Sequence, residues 1–176
     1  MSDYEQQARK YRKKAVLDVE AASFEKVAYG PSDIETLIPH RPPFRLVDSI
    51  TGIDLAQEGI VGARTIDPAD PVFQGHFPTY PILPGVLQIE MIGQLAICFY
   101  DFHKRRSIEL PKESTELGVR ALKIFHTLFQ HEVLPGDTVT ILAKLLEKDD
   151  YTFKGIGQVM NGSKVCTIAI AEFYIV

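Results

Sequence analysis

The chain has 176 residues, 45% of them apolar and 24% charged, with 19 Lys plus Arg against 23 Asp plus Glu for a net charge of −4. A chain near the length of one typical domain buries about 70% of its unfolded surface, enough for a hydrophobic core without disulfides or a structural metal. The composition excludes collagen-like, low-complexity and strongly disordered classes, and the acidic balance argues against nucleic acid as the main ligand, because phosphate binding needs clustered positive charge.

Residues 1–29 are rich in Lys, Arg, Glu and Ala, and Tyr4, Ala8, Tyr11, Ala15 and Val19 recur at helical spacing. That pattern predicts a helix with one apolar stripe, ended by Gly30-Pro31. Its basic run, Arg9, Lys10, Arg12, Lys13 and Lys14, reads as a solvated face that could also steer an acidic partner. Ser32-Asp33-Ile34-Glu35 has capping-box spacing and predicts a short helix to about Ile38, stopped by Pro39. The segment His40-Arg41-Pro42-Pro43-Phe44 reads as an architectural turn into the first strand.

Strands are predicted over FRLVDSI, residues 58–66, RALKIFHTLF, TVTILAKLLE, YTFKGIGQVM and KVCTIAIAEFYIV. The last two flank Asn161-Gly162-Ser163, a hairpin signal because Asn and Gly tolerate the positive φ of such turns. Pro135-Gly136-Asp137 is a further turn signal. Between early and late strands, one long helix is expected from Pro84 to about His103, apolar around most of its circumference and therefore buried. Antiparallel strands around one buried helix make an α+β domain.

Cys98 and Cys166 lie in apolar segments without a partner at metal spacing, which suits free thiols in a reducing cytoplasm. The charged N-terminus gives no secretion signal. The apolar stretches 82–100 and 165–176 are interrupted by Gln88, Glu90, Gln94 and Glu172, so no membrane span is expected. His103, His126 and His131 have no metal-site spacing; neither metal nor cofactor is expected.

The chemistry concentrates in residues 73–94. Pro78, Pro81 and Pro84 stiffen the loop that carries His76 and Phe77 to the helix start. At Gly85 the backbone is bare at a helix N-terminus, where free amides and the dipole favour negative charge. Glu90 and Gln94 share one face of an otherwise apolar stretch. A carboxylate in such a place is costly unless paired, protonated or used. Base, acid and anion site together form the set needed to abstract a proton beside a carbonyl.

The blocks IPHRPPFRLVDSI, PVFQGHFPTYPILPGVLQIEMIGQ and Phe129-x-x-x-Val133-x-Pro135-Gly136-Asp137 resemble those of the FabZ-like β-hydroxyacyl-acyl-carrier-protein dehydratases. The resemblance runs from about Ile34 to the C-terminus. It implies the hot-dog fold, a curled antiparallel sheet around a long central helix, over residues 31–176, with residues 1–30 as a charged helical extension. It also implies a homodimer or trimer of dimers, with a heteromer possible, whose sites take the His from one subunit and the Glu from the other. His76 is then the base at C2 of a 3-hydroxyacyl thioester carried by acyl carrier protein, and Glu90 the acid at the C3 hydroxyl. The Gly85 amide binds the thioester oxygen, Gln94 orients Glu90, and Phe77, Pro84 and Val86 line the substrate channel.

Three departures stand out. Val86 follows Gly85 where isomerising relatives carry Cys, and Glu90 stands where they carry Asp, which favours plain dehydration. Thr79-Tyr80 replaces the usual Gly-x pair. Leu128, Gln130 and His131 occupy positions where basic residues often meet the carrier, leaving that task to Arg9–Lys14, to Arg120 and Lys123, or to a carrier of polyketide or polyene assembly. Thioester hydrolysis and non-catalytic acyl binding are the competing readings.

Overall fold

The computed structural model describes residues 2–113 and 118–176. Helix α1 (Asp3–Tyr11) is followed by β1 (Glu25–Tyr29), α2 (Pro31–Leu37), β2 (Ser49–Asp54) and β3 (Gly59–Thr65). After a 3₁₀ turn at Pro71–Gln74 come α3 (Gly85–Arg105), β4 (Val119–Phe129), β5 (Thr138–Lys148), β6 (Thr152–Asn161) and β7 (Lys164–Ile175). The seven strands among the described residues form one antiparallel sheet in the order β1-β2-β3-β5-β6-β7-β4.

Period-two alternation gives this sheet two apolar faces. Ile60, Ile141, Ala143, Phe153 and Val159 join Met91, Leu95, Phe99 and Phe102 of α3 in the main core. Phe99, Phe102 and Phe153 are nearly fully buried, each contributing roughly 1.5–3 kcal/mol by leaving water. Helix α3 starts at Pro84, and its end is closed by Arg106 in the left-handed region (φ 52°) with Ser107 N–H donating to the Phe102 carbonyl at 3.2 Å. At the β6–β7 turn Gly162 has φ 56°, the conformation expected of that hairpin.

The opposite face packs Val61, Leu142, Ile156, Ile168 and Ile170 against Ala8, Val16 and Leu17 of the N-terminal segment. Here the expected course of residues 1–30 is corrected. The helix stops at Tyr11, because the buried amide of Gln158 in β6 takes over the backbone: its Nε2 donates to the carbonyls of Tyr11 (2.7 Å) and Lys14 (2.9 Å), and its Oε1 accepts from Val16 N–H (2.9 Å). Residues Glu25–Tyr29 then form the edge strand beside β2, with Val27 and Tyr29 against the core. Their alternation was masked by a helix-favouring composition.

Two smaller boundaries also move. Pro31 starts α2 one residue ahead of Ser32, so Asp33 rather than Glu35 caps it, accepting from Gly30 N–H at 2.8 Å. Glu35 instead pairs with Arg45 at 3.1 Å. The first core strand begins at Ser49, since the segment before it spends its backbone on α3 side chains, as described below.

Candidate active site

Loop and helix start place the first group. His76 N–H donates to the Val72 carbonyl at 3.0 Å, and its ring Nδ1 lies 3.0 Å from the Ile82 carbonyl. A carbonyl only accepts, so Nδ1 carries the hydrogen and neutral His76 presents an unprotonated Nε2. The ring rests on Phe77 with centroids 4.2 Å apart. His76 lines a cavity of about 380 Å³ together with Leu83, Pro84, Gly85, Val86, Gln88 and, from the other wall, Phe129–Glu132. The Gly85 N–H, first of the free amides of α3, has no partner among the described residues. A Cβ on Gly85 would lie 2.5 Å from Phe129 Cε1 and push that ring aside, so close contact between helix start and far wall requires glycine.

Glu90 is outside this cavity's lining. Its Oε1 accepts from Gln94 Nε2 at 2.9 Å and lies 3.5 Å from His40 Nε2, with the side chain 35% exposed. Gln94 is fully buried and fully used: Oε1 accepts from Leu46 N–H (2.7 Å) and Nε2 also donates to the Phe44 carbonyl (2.8 Å). This clamp joins α3 to residues 44–46, fixes the amide's orientation and holds the carboxyl group. Both contacts fall on Oε1, and Oε2 has no partner among the described residues.

The chain thus brings His76, Pro84, Gly85 and Val86 together, and groups Glu90 with Gln94 elsewhere. Phe77 stacks behind His76 and is 51% exposed, outside the lining. The sequence reading overlooked Gln88, whose Oε1 accepts from Thr167 at 2.7 Å, and Glu132 on the far wall, and it took Gln130 and His131 only as positions facing the carrier. It also treated His40 as part of a turn only. The turn exists, with Phe44 N–H donating to the Arg41 carbonyl at 2.8 Å, yet it also delivers His40 to Glu90. A histidine just before a Pro-rich turn was the available signal, but its target lies fifty residues away.

Cys98 and Cys166 are free and buried, and burial pushes both thiols up, away from the reactive thiolate. Among the described residues no group of three or more His, Cys, Asp or Glu side chains could hold a metal ion. No helix among them is long and apolar enough to cross a membrane.

A curled antiparallel sheet on one long helix, with a cavity at the helix N-terminus, defines a hot-dog protein. A solved dehydratase heterocomplex, ApeI:P from Xenorhabdus doucetiae, has this fold: TM-score 0.61 at 17% identity, covering 81% of this chain and 90% of that one. A hypothetical thioesterase from Streptococcus pneumoniae, solved with coenzyme A, shares it more loosely, with TM-score 0.51 at 9% identity over 68% of this chain and 80% of that one.

The model of the FabA-like domain matches residues 38–169. FabZ, the 3-hydroxyacyl-[acyl-carrier-protein] dehydratase of Chlamydia trachomatis serovar L2, is 34% identical over 152 residues, 86% of this chain and 95% of that protein. The enzyme of the same name from Xanthomonas campestris pv. campestris is 36% identical over 110 residues, 62% of this chain and 68% of that protein. The chain belongs to the FabA-like family, on its FabZ branch.

Proposed function

We propose that this protein dehydrates 3-hydroxyacyl thioesters, presented on acyl carrier protein, to trans-2-enoyl thioesters. Neutral His76 takes a proton from C2 through Nε2 while the Gly85 N–H stabilises the charge gathering on the thioester oxygen. The C3–O bond breaks, the hydroxyl takes a proton from Glu90, and water leaves. Return of the proton from His76 to Glu90 resets the pair. Pro84 and Val86 line the channel, Phe77 backs the His76 ring, and Gln94 holds Glu90 in place. The observation carrying this reading is the 3.0 Å contact of His76 Nδ1 with the Ile82 carbonyl, which leaves Nε2 free near an unpaired helix-start amide in a cavity walled by Leu83, Val86 and Phe129.

The acid belongs, in this reading, to a second copy of the chain. Glu90 lies outside the His76 cavity of its own chain, and β4 is an edge strand that exposes Leu122, Ile124 and Phe129 at 56, 52 and 57%. Unpaired edges of that kind invite another strand. A homodimer formed there carries two sites; a trimer of dimers or a heteromer extends the same contact. The enzyme is placed in the cytoplasm, in fatty-acid assembly or a specialised polyketide or polyene route.

Purified protein given 3-hydroxyacyl substrates, with enoyl absorbance and free thiol followed together, tests the reaction. Enoyl product forms without thiol, and His76→Ala or Glu90→Gln lowers kcat by about 10²-fold or more. Thiol release without enoyl product, or an unchanged rate in His76→Ala, overturns the reading.

A further inference from the structure

The far wall of the cavity poses an electrostatic problem. Its rim residues Gln130, His131 and Glu132 supply one carboxylate, which accepts from Tyr80 Oη at 2.7 Å, and no Lys or Arg. A phosphate-bearing arm on an acidic carrier protein meets repulsion there unless cations come from elsewhere. Arg120 and Lys123 are the wrong candidates. They stand nine and six residues before Phe129 on β4, about 30 and 20 Å along the strand, and Lys123 is drawn over the Phe125 ring at 4.7 Å.

The N-terminal segment is much nearer. Gln130 on the rim donates through Nε2 to the Arg12 carbonyl at 2.9 Å. The same stretch is fixed to the sheet by Gln158, which holds Tyr11, Lys14 and Val16. A basic turn is therefore pinned at both of its ends, with Arg12, Lys13 and Lys14 exposed. Arg9 is occupied by Glu5 at 2.9 Å, and Lys10 and Lys14 lie over the Tyr11 ring at 5.1 and 5.6 Å. Arg12 and Lys13 have no acidic partner within 4.0 Å among the described residues. Exposed Lys164, which lines a neighbouring depression with His131 and Glu132, adds a cation on the same side.

We infer that Arg12, Lys13 and Lys14, with Lys164, form the surface on which the acidic acyl carrier protein docks; its Arg12–Lys14 part lies outside the 38–169 family match and replaces cations the rim lacks. The inference rests on the dehydratase reading for its partner, but its chemistry is the electrostatic capture of an acidic helical protein beside a cavity. Charges at such a rim act on encounter and on salt dependence more than on the chemical step.

The test pairs Arg12→Glu/Lys13→Glu/Lys14→Glu with a control, Lys104→Glu/Lys148→Glu, at the far end of α3. Binding to a fluorescent bacterial acyl carrier protein is read by anisotropy, and turnover is read on a 3-hydroxyacyl carrier and on the matching N-acetylcysteamine thioester. The triple variant weakens carrier binding and raises KM for the carrier substrate at least tenfold, loses the salt dependence of the wild type, and leaves kcat and the small-thioester KM unchanged; the control changes none of them. Lys164→Glu gives a smaller shift in the same direction. Carrier binding unchanged within twofold in the triple variant overturns the docking surface. If wild type binds carrier but turns over neither thioester, the dehydratase reading falls while the anisotropy result still decides the docking surface.

Discussion

Helix α3 carries two carboxyl groups about three turns apart, and their surroundings are opposites. Asp101 is 3% exposed and sealed by Arg105, whose Nε donates at 2.7 Å while Nη2 lies 2.6 Å away. Glu90 is 35% exposed and touches an uncharged amide and an imidazole, both on one oxygen. A buried acid matched by a full opposite charge is neutralised and serves the fold. Glu90, touched on Oε1 alone by an amide and an imidazole, leaves its other oxygen open for the acid role proposed for it. The absence of a guanidinium or ammonium partner, together with exposure, sets Glu90 apart from Asp101.

The sharpest way to break this contrast is to exchange the consequences. Asp101→Ala removes the counter-charge of Arg105, which is 26% exposed, and is expected to lower stability by roughly 1–3 kcal/mol, whereas Glu90→Gln leaves the denaturation midpoint unchanged while removing activity. Urea titration of both variants checks this; equal destabilisation would erase the distinction. A finer probe is His40. Replacing it with Ala removes one of the two contacts on Oε1, and kcat is expected to fall about fivefold, near 1 kcal/mol, with KM unchanged. In a Glu90→Gln background the same replacement should have no effect, because the group it positions is gone.

The smallest effect concerns an acid that is satisfied without any cation. Burial pushes Asp54 up, but hydrogen bonds from Gln57 N–H, the Ser23 hydroxyl, the Gln57 amide and Ala56 N–H outweigh it and hold the carboxyl below its usual range. A native value below the unfolded value of about 3.9 contributes stability above that pH, lost as pH falls through the native value. Ser23→Ala, at an exposed position, should therefore cost about 0.5 kcal/mol at neutral pH. Thermal melts across pH 2–7 should show the gap between variant and wild type closing only at the acid end.

Much of the fold was legible from local pattern. The buried helix, the late strands and the Asn161-Gly162 hairpin declare themselves through periods and turn residues that act over a few positions. The set proposed as reactive was also visible locally, because the stiff Pro-rich loop, bare Gly85 and the paired Glu90 and Gln94 lie within nineteen residues. The N-terminal segment misled, since its helix-favouring composition is overruled at Tyr11 by Gln158, nearly 150 residues away.

Sequence by itself determined the long helix, the late strands and which residues are proposed for acid, base and anion-binding chemistry, because propensity, capping and spacing are local properties. Tertiary structure alone decided the neighbours: His40 on Glu90, the Phe129–Glu132 wall facing Gly85, and the basic turn moored to Gln130. Those contacts depend on how long-range strand pairing folds distant segments together. No window short enough to show a period spans both partners.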